Sequence, residues 1–314
     1  MDDGLRLQAK KDEMKVILSR KGFDSGSGGC PSPIFPDGSL MSLPIPDPKS
    51  RIAYQEIAGN HWVDVGEAVS QLGGIHPTHR AHLDPDLIRG SIPRRKNWRP
   101  IFGQVGASEG HLRRQRVGAG DLFLFFGLFR PVEKIGSHLY FVRNSKPIHV
   151  LYGWLQIADR VPVLEWPISK DWAFYHPHFS REPHPRNVLY LSTDQLVLPQ
   201  CGIPEIPGAG TFPRYSENLR LTAPNSAHPS KWQLPAWFNP DGHSSRLSYH
   251  SNPSRWEMTD GGILLSAVSR GQEFVLDCER LPEAGEWLKW IFTSAPRLEK
   301  TRNIVNDGGL RAGQ

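Results

Sequence analysis

Asp121–Phe129, DLFLFFGLF, decides the fold class. Along an extended chain Leu122, Leu124 and Phe126 point one way, and Phe123 and Phe125 the other. A strand that is apolar on both faces must be covered on both, which places it inside a sheet. The turn Gly118-Ala119-Gly120-Asp121 introduces it. HVLYGWLQI at His149–Ile157 has the same character, with Gly153 marking a bulge position, and RNVLYLS at Arg186–Ser192 is a third such run. These three strands predict the core of a sheet or barrel.

Outward from this core, the short apolar run Met14–Leu18 reads as another strand. It releases a glycine-rich loop, SRKGFDSGSGGCPSPI, at Ser19–Ile34. Glycines allow positive φ and close backbone approach to a ligand, while Arg20, Lys21 and Asp24 put charge on the same loop. The loop reads either as a ligand site or as a solvated glycine-serine turn. It is not a Walker phosphate loop, because no Gly-Lys-Ser/Thr follows the glycines. Nor is it a dinucleotide fingerprint, because Pro31 and Pro33 stand where a helix would begin.

With 314 residues the chain can bury a real core, and 30 glycines with 28 prolines favour short strands and turns over long helices. A net charge of +5 permits nucleic acid as a partner without requiring it. Cys30, Cys201 and Cys278 form no CxxC pair, so neither a disulfide framework nor a four-cysteine zinc site is expected. No apolar run approaches the roughly 18 residues of a membrane helix, and no signal peptide is visible. The expectation is a soluble cytoplasmic protein without a membrane partner.

Residues 1–13 read as a polar extension, 14–295 as one domain and 296–314 as a flexible tail. Arg51–Ile57 is expected as a short strand, and Val63–Leu72 as a helix ended by Gly73-Gly74. Leu264–Val268 and Glu273–Asp277 are expected as short strands. Glu283–Phe292 is read as a packing helix with Trp287, Trp290 and Ile291 on one face. The predicted class is α+β: a mixed, strongly bent sheet or partial barrel with peripheral helices.

Several clusters bear chemistry. In an extended Tyr175-His176-Pro177-His178 the two histidines share a face about 7 Å apart, and can converge on an ion or a substrate. His82 and Asp84, from AHLDPDL at Ala81–Leu87, are the further ligands such an ion would need. Loop histidines that only bind substrate or face solvent are the commoner case, and no metal site is assigned. Glu273 and Asp277 share a strand face about 13 Å apart. That exceeds the roughly 5–9.5 Å of a glycosidase pair. One of them is expected to pair with a loop cation such as Arg20. Arg94, Arg95, Lys96 and Arg99 surround Trp98, and Arg113 and Arg114 form a second basic cluster. Both read as a polynucleotide contact or as solvated basic faces. Cys30 reads as a buried thiol, and no Gly-x-Ser-x-Gly elbow is present.

The opening MKVILSRKGFDSGSGGCPSPIFPDGSLMSLPIP, at 14–46, resembles that of the nucleotide modification associated domain family of the third type. AHLDPDL, GDLFLFFGLFR, HVLYGWLQI, HPHF, NVLYLS and RGQEFVLD continue the agreement to about Phe292. The resemblance implies a setting of nucleotide or DNA hypermodification in phages and bacteria, beside other modification enzymes, more firmly than any one reaction. GAGDLFLFFG and HVLYGWLQI are also similar to the strand pattern of PUA-like folds, including the EVE type, which cradle a base.

Two functions follow as expectations: an enzyme of nucleotide or DNA base modification, or a non-catalytic module that reads modified bases with Trp98 and Trp154. For the enzyme, Asp24, His176, His178 and Glu273 are the candidate catalytic groups. Arg20, Lys21, Ser25, Gly28, Gly29, Ser32, His82, Asp84 and Gln272 are the candidate substrate contacts. Arg94, Arg95, Lys96, Trp98, Arg99, Arg113 and Arg114 are the candidate polynucleotide contacts. No cofactor is assigned.

Overall fold

The strand β4 (Leu122–Ile135) lies between β1 (Lys15–Arg20), which runs parallel to it, and β6 (Ile148–Pro162), which runs antiparallel. The computed structural model describes residues 14–198, 205–240, 246–268, 273–278 and 282–294. Outside β6 come β7 (Asn187–Ser192) and β3 (Ile101–Val105); outside β1 comes β12 (Glu273–Asp277). The order is β12-β1-β4-β6-β7-β3. Short strands β2 (Ser32–Ile34) and β5 (His138–Phe141) pair with β4, and β8 (Ala209–Thr211) pairs with β6. A second sheet is formed by β9 (Lys231–Leu234), β10 (Trp256–Thr259) and β11 (Gly262–Ser266). Three helices are described: α1 (Val65–Gly73), α2 (Gly106–Arg114) and α3 (Pro282–Ser294).

The double-faced reading of Asp121–Phe129 holds. Phe123 and Phe125 meet Phe102 at ring separations of 4.9 and 5.2 Å. Phe126 instead packs on Trp232 of the second sheet, at 5.1 Å. Burying an aromatic side chain contributes about 1.5–3 kcal/mol, so this row of rings is a principal source of stability.

Two irregularities in β6 bend the sheet. Phe125 pairs with Gly153 but Phe126 pairs with Leu151, leaving Tyr152 as the extra residue beside the glycine. A second shift, around Ala158, occurs against β7. Bulges sharpen local twist, and the two edge strands approach each other. Gln104 Nε2 of β3 donates to Glu273 Oε1 of β12 at 2.5 Å, and Lys21 Nζ donates to the same oxygen at 2.8 Å. No backbone ladder joins β3 to β12 among the described residues, so the sheet curls without closing into a barrel.

The helix at α1 ends as expected, with Gly74 left-handed at φ 65°. Three readings need correction. Arg51–Ile57 forms a 3-10 turn at Tyr54–Glu56, not a strand, because Glu56 accepts from the Ala53 N–H and the Tyr54 hydroxyl donates to Pro44 O. In α3, Trp287, Leu288 and Ile291 face inward while Trp290 is 49% exposed. The strand β3 and helix α2 were not anticipated at all. Here Glu109, fully buried, accepts from the Tyr190 hydroxyl at 2.6 Å and from Arg160, which holds a glycine-rich segment helical.

His149 is buried in β6 and accepts a hydrogen bond from Trp232 Nε1 at 2.9 Å on Nδ1. Burial pushes its pKa down to about 3. On acidification the unfolded chain therefore takes up a proton near pH 6.5, before the folded one does. This stability is complete above about pH 6.5 and lost as pH falls toward 3. The loss at pH 5 should be about 2 kcal/mol for this group. Urea unfolding at pH 7 and pH 5 checks it: His149→Gln keeps the acceptor and should show a smaller drop than wild type.

Candidate functional site

From the end of β1 the chain passes Lys21 and Gly22 into the glycine loop. Asp24 Oδ1 accepts the N–H groups of Gly26 and Ser27, both at 2.8 Å, so this carboxylate folds the loop on itself. Gly28 sits at φ +86°, where a Cβ would lie 2.3 Å from the Phe23 ring. Ser32 is buried and its hydroxyl accepts from Leu43 N. Ser25 and Gly29 are exposed at the loop tip. Burial pushes the Cys30 thiol up to about 11, so it stays protonated.

Beside this loop lies a cavity of about 610 Å³. Arg20, Lys21, Asp24 and Ser27 form one wall, and His82, Asp84, His178 and Gly103 another, with Gln104, Arg181 and Tyr249 also lining it. Segments far apart in sequence thus reach one space.

Asp84 is the centre of the second wall. Its Oδ1 accepts the Gly103 N–H at 2.8 Å and lies 3.3 Å from His176 Nε2. Its Oδ2 faces His178 Nε2 at 3.5 Å and His82 Nε2 at 3.6 Å. Burial alone would raise this carboxyl, but the three imidazoles outweigh it and hold Asp84 well below the usual range. Burial pushes His178 down to about 4 despite Asp84. For His82 burial acts in the same direction, yet the Asp47 and Asp84 carboxylates prevail and raise it.

Both histidines are oriented from behind. His82 Nδ1 donates to Asp47 Oδ2 at 2.7 Å. His178 Nδ1 donates to Asn187 Oδ1 at 2.6 Å, and Asn187 Nδ2 donates to His178 O, which fixes the amide. The expected extended geometry of the HPHF segment is corrected: Pro177–Ser180 is a 3-10 turn with His176 at its N-cap. A Cβ at Gly103 would lie 2.5 Å from the His178 ring, so only glycine admits the imidazole there.

Other expectations resolve differently. Glu273 is buried behind the cavity wall and holds Lys21 and Gln104; Lys21, not Arg20, is its cation. Gln272 lies outside the described residues. Arg94 is corrected from a polynucleotide arm to a buried pair, bidentate on Asp86 at 2.6 Å for both bonds and 4.3 Å above the Trp98 ring. Trp98 is itself buried, its Nε1 donating to Tyr175, and Trp154 is buried with Nε1 on Pro207 O. Neither ring is available to stack a base. Arg95 pairs with Asp171, and Arg99 reaches Ser192 O and Asp159. Lys96, Arg113 and Arg114 are exposed.

Asp47, Gly103, Gln104, Arg181, Asn187 and Tyr249 were missed. Only Asn187, a polar residue opening an apolar strand, carried a local signal.

A family model described as nucleotide modification associated domain 3 matches residues 15–277. The chain belongs to this family. The family description associates it with nucleotide modification and names no particular reaction. No curated protein and no solved structure matches the chain. Among the described residues no helix is long and apolar enough to cross a membrane.

Removing one partner of a buried ion pair costs about 3–5 kcal/mol. Arg94→Ala should lose stability of that order in urea unfolding. Arg94→Lys should recover only part of it, because lysine cannot make the bidentate fork.

Proposed function

We propose that the chain is a cytoplasmic enzyme that modifies a nucleotide or a base in DNA, and that the cavity beside the glycine loop is its active site. The observation that carries this reading is convergence: a cation-bearing loop and a buried carboxylate ringed by histidines face one space. Arg20, Lys21 and Arg181 supply positive charge for a phosphate or sugar-phosphate. The carboxylate–histidine wall, Asp84 with His82 and His178, supplies groups for proton transfer or for activating an attacking oxygen.

Asp24 serves here as loop organiser, since both its hydrogen bonds go to loop N–H groups. Glu273 positions Lys21, and His176 orients Asp84 from the buried side. Lys96, Arg113 and Arg114 are the surface cations that would guide a polynucleotide. The reaction takes place as one step of a modification system with partner enzymes.

A second reading, a non-catalytic reader of modified bases, is favoured by one observation. Tyr249 lines the cavity, is 47% exposed, and its ring lies 4.3 Å from that of His111 at 33°. It holds a left-handed backbone at φ 68°, a strained position for a tyrosine. In either reading it is a platform on which a base stacks, and such stacking is worth about 1–3 kcal/mol.

Mass spectrometry of nucleosides from cells expressing the chain with its modification partners tests the enzyme. A nucleoside whose abundance changes with wild type, and does not with Asp84→Asn, is the expected result. Unchanged profiles with wild type, alongside retained nucleic-acid binding, would instead establish the reader. Tyr249→Ala should weaken nucleotide binding by roughly 5- to 150-fold, while Tyr249→Phe should not. Binding titrations on the two variants check this.

A further inference from the structure

We propose that His82, Asp84 and His178 bind one divalent transition-metal ion of the zinc or iron(II) type, through His82 Nε2, His178 Nε2 and Asp84 Oδ2. This inference concerns the ion alone and does not depend on which substrate the cavity takes.

The three ligand atoms lie within 4.8 Å of one another. The contacts of 3.5 and 3.6 Å from the imidazole nitrogens to Oδ2 are too long for N–H···O hydrogen bonds, which fall at about 2.7–3.2 Å. They are close to the roughly 3.4 Å that bonds of about 2.0–2.1 Å impose between ligands of a tetrahedral ion.

The tautomers strengthen the case. The Nδ1–H of His82 is committed to Asp47 and that of His178 to Asn187. In neutral imidazoles both Nε2 atoms then present lone pairs to a carboxylate oxygen. Three acceptors directed at one point repel each other unless a cation lies among them. The outer bonds follow the usual pattern for ligating histidines, whose second ring nitrogen donates to a carboxylate or amide oxygen.

Asp84 is divided in the same sense. Its Oδ1 is held by Gly103 N–H, with the fully buried His176 Nε2 beside it lacking a hydrogen-bond partner. Its Oδ2 is left for the ion. All three ligands line the cavity, so the remaining coordination positions open toward it. Two histidines and one carboxylate with open positions are a donor set of catalytic zinc and of non-haem iron. Such an ion would polarise a phosphate oxygen or activate a water.

The test uses the full chain, stripped with a chelator and titrated with Co²⁺, whose visible absorption reports coordination. Metal content of the untreated protein is measured alongside. Wild type should take up one equivalent per chain. His82→Ala combined with His178→Ala should abolish that uptake. Asp47→Asn, which leaves all ligands in place, should weaken affinity about 10- to 100-fold. If the double variant does not fold, the wild-type stoichiometry and the Asp47→Asn shift still decide the matter. A folded wild type that takes up no Co²⁺ and carries no metal would overturn the proposal. The cluster would then be an ion pair built on a protonated His82. Uptake unaffected by the double substitution would overturn it equally. Neither result bears on nucleoside chemistry, which is read separately by mass spectrometry.

Discussion

A carboxylate buried to 4% exposure must be compensated, and much of the architecture around Asp84 follows from that requirement. The effective penalty for burying an uncompensated charge is several kcal/mol. It is met here from two distant places, the β3 backbone at Gly103 and the turn carrying His176 and His178, and from His82 two residues earlier. Two of the imidazoles are in turn fixed from behind, His178 by Asn187 on β7 and His82 by Asp47 in the proline-rich segment. Because strand, turn and loop must all be in place together, the cluster can form only in the completed fold.

The curl of the sheet makes that assembly geometrically available. Were the sheet flat, β3 and β12 would lie at opposite edges with four strands between them. The bulges in β6 bring the edges together, and Glu273 spans the remaining gap by holding Gln104 from one edge and Lys21 from the end of β1. The cavity opens where the edges meet without a ladder. An open seam leaves strand ends and loops free to carry polar groups, which a closed ladder would use up in backbone pairing.

The legible part of the sequence was the part governed by hydrophobic burial. β4, β6 and β7 announce themselves because a strand covered on both faces needs an unbroken apolar run. β3 did not, because Ile101–Val105 carries Gly103 and Gln104 at its centre. Those residues weaken a strand signal and are the ones the cavity uses: the glycine admits His178 and the glutamine reaches Glu273. Arg94 reads as part of a basic arm for a related reason. Charge is visible in a sequence, whereas the buried Asp86 that absorbs Arg94 is visible only after folding. The cation on Glu273 was displaced by one residue for a reason of parity. Ser19 stands opposite Glu273 in the ladder, so the next side chain on that face belongs to Lys21 and not to Arg20.

The two carboxylates of the cavity illustrate how environment divides roles between like groups. Asp24 stands in a glycine loop with abundant N–H donors, and its hydrogen bonds are spent on the loop's own conformation. Among the described residues Asp84 accepts one backbone N–H, on Oδ1, and its Oδ2 faces the imidazoles of His178 and His82. Sequence composition favours Asp24 as the reactive acid, because the loop around it is dense in functional groups. The structure gives the two different surroundings: Asp24 Oδ1 is committed to the N–H groups of its own turn, while Asp84 Oδ2 is turned toward the imidazoles of the cavity wall. What distinguishes them is the kind of partner, backbone N–H for Asp24 and imidazole for Asp84, rather than the density of polar neighbours in the sequence.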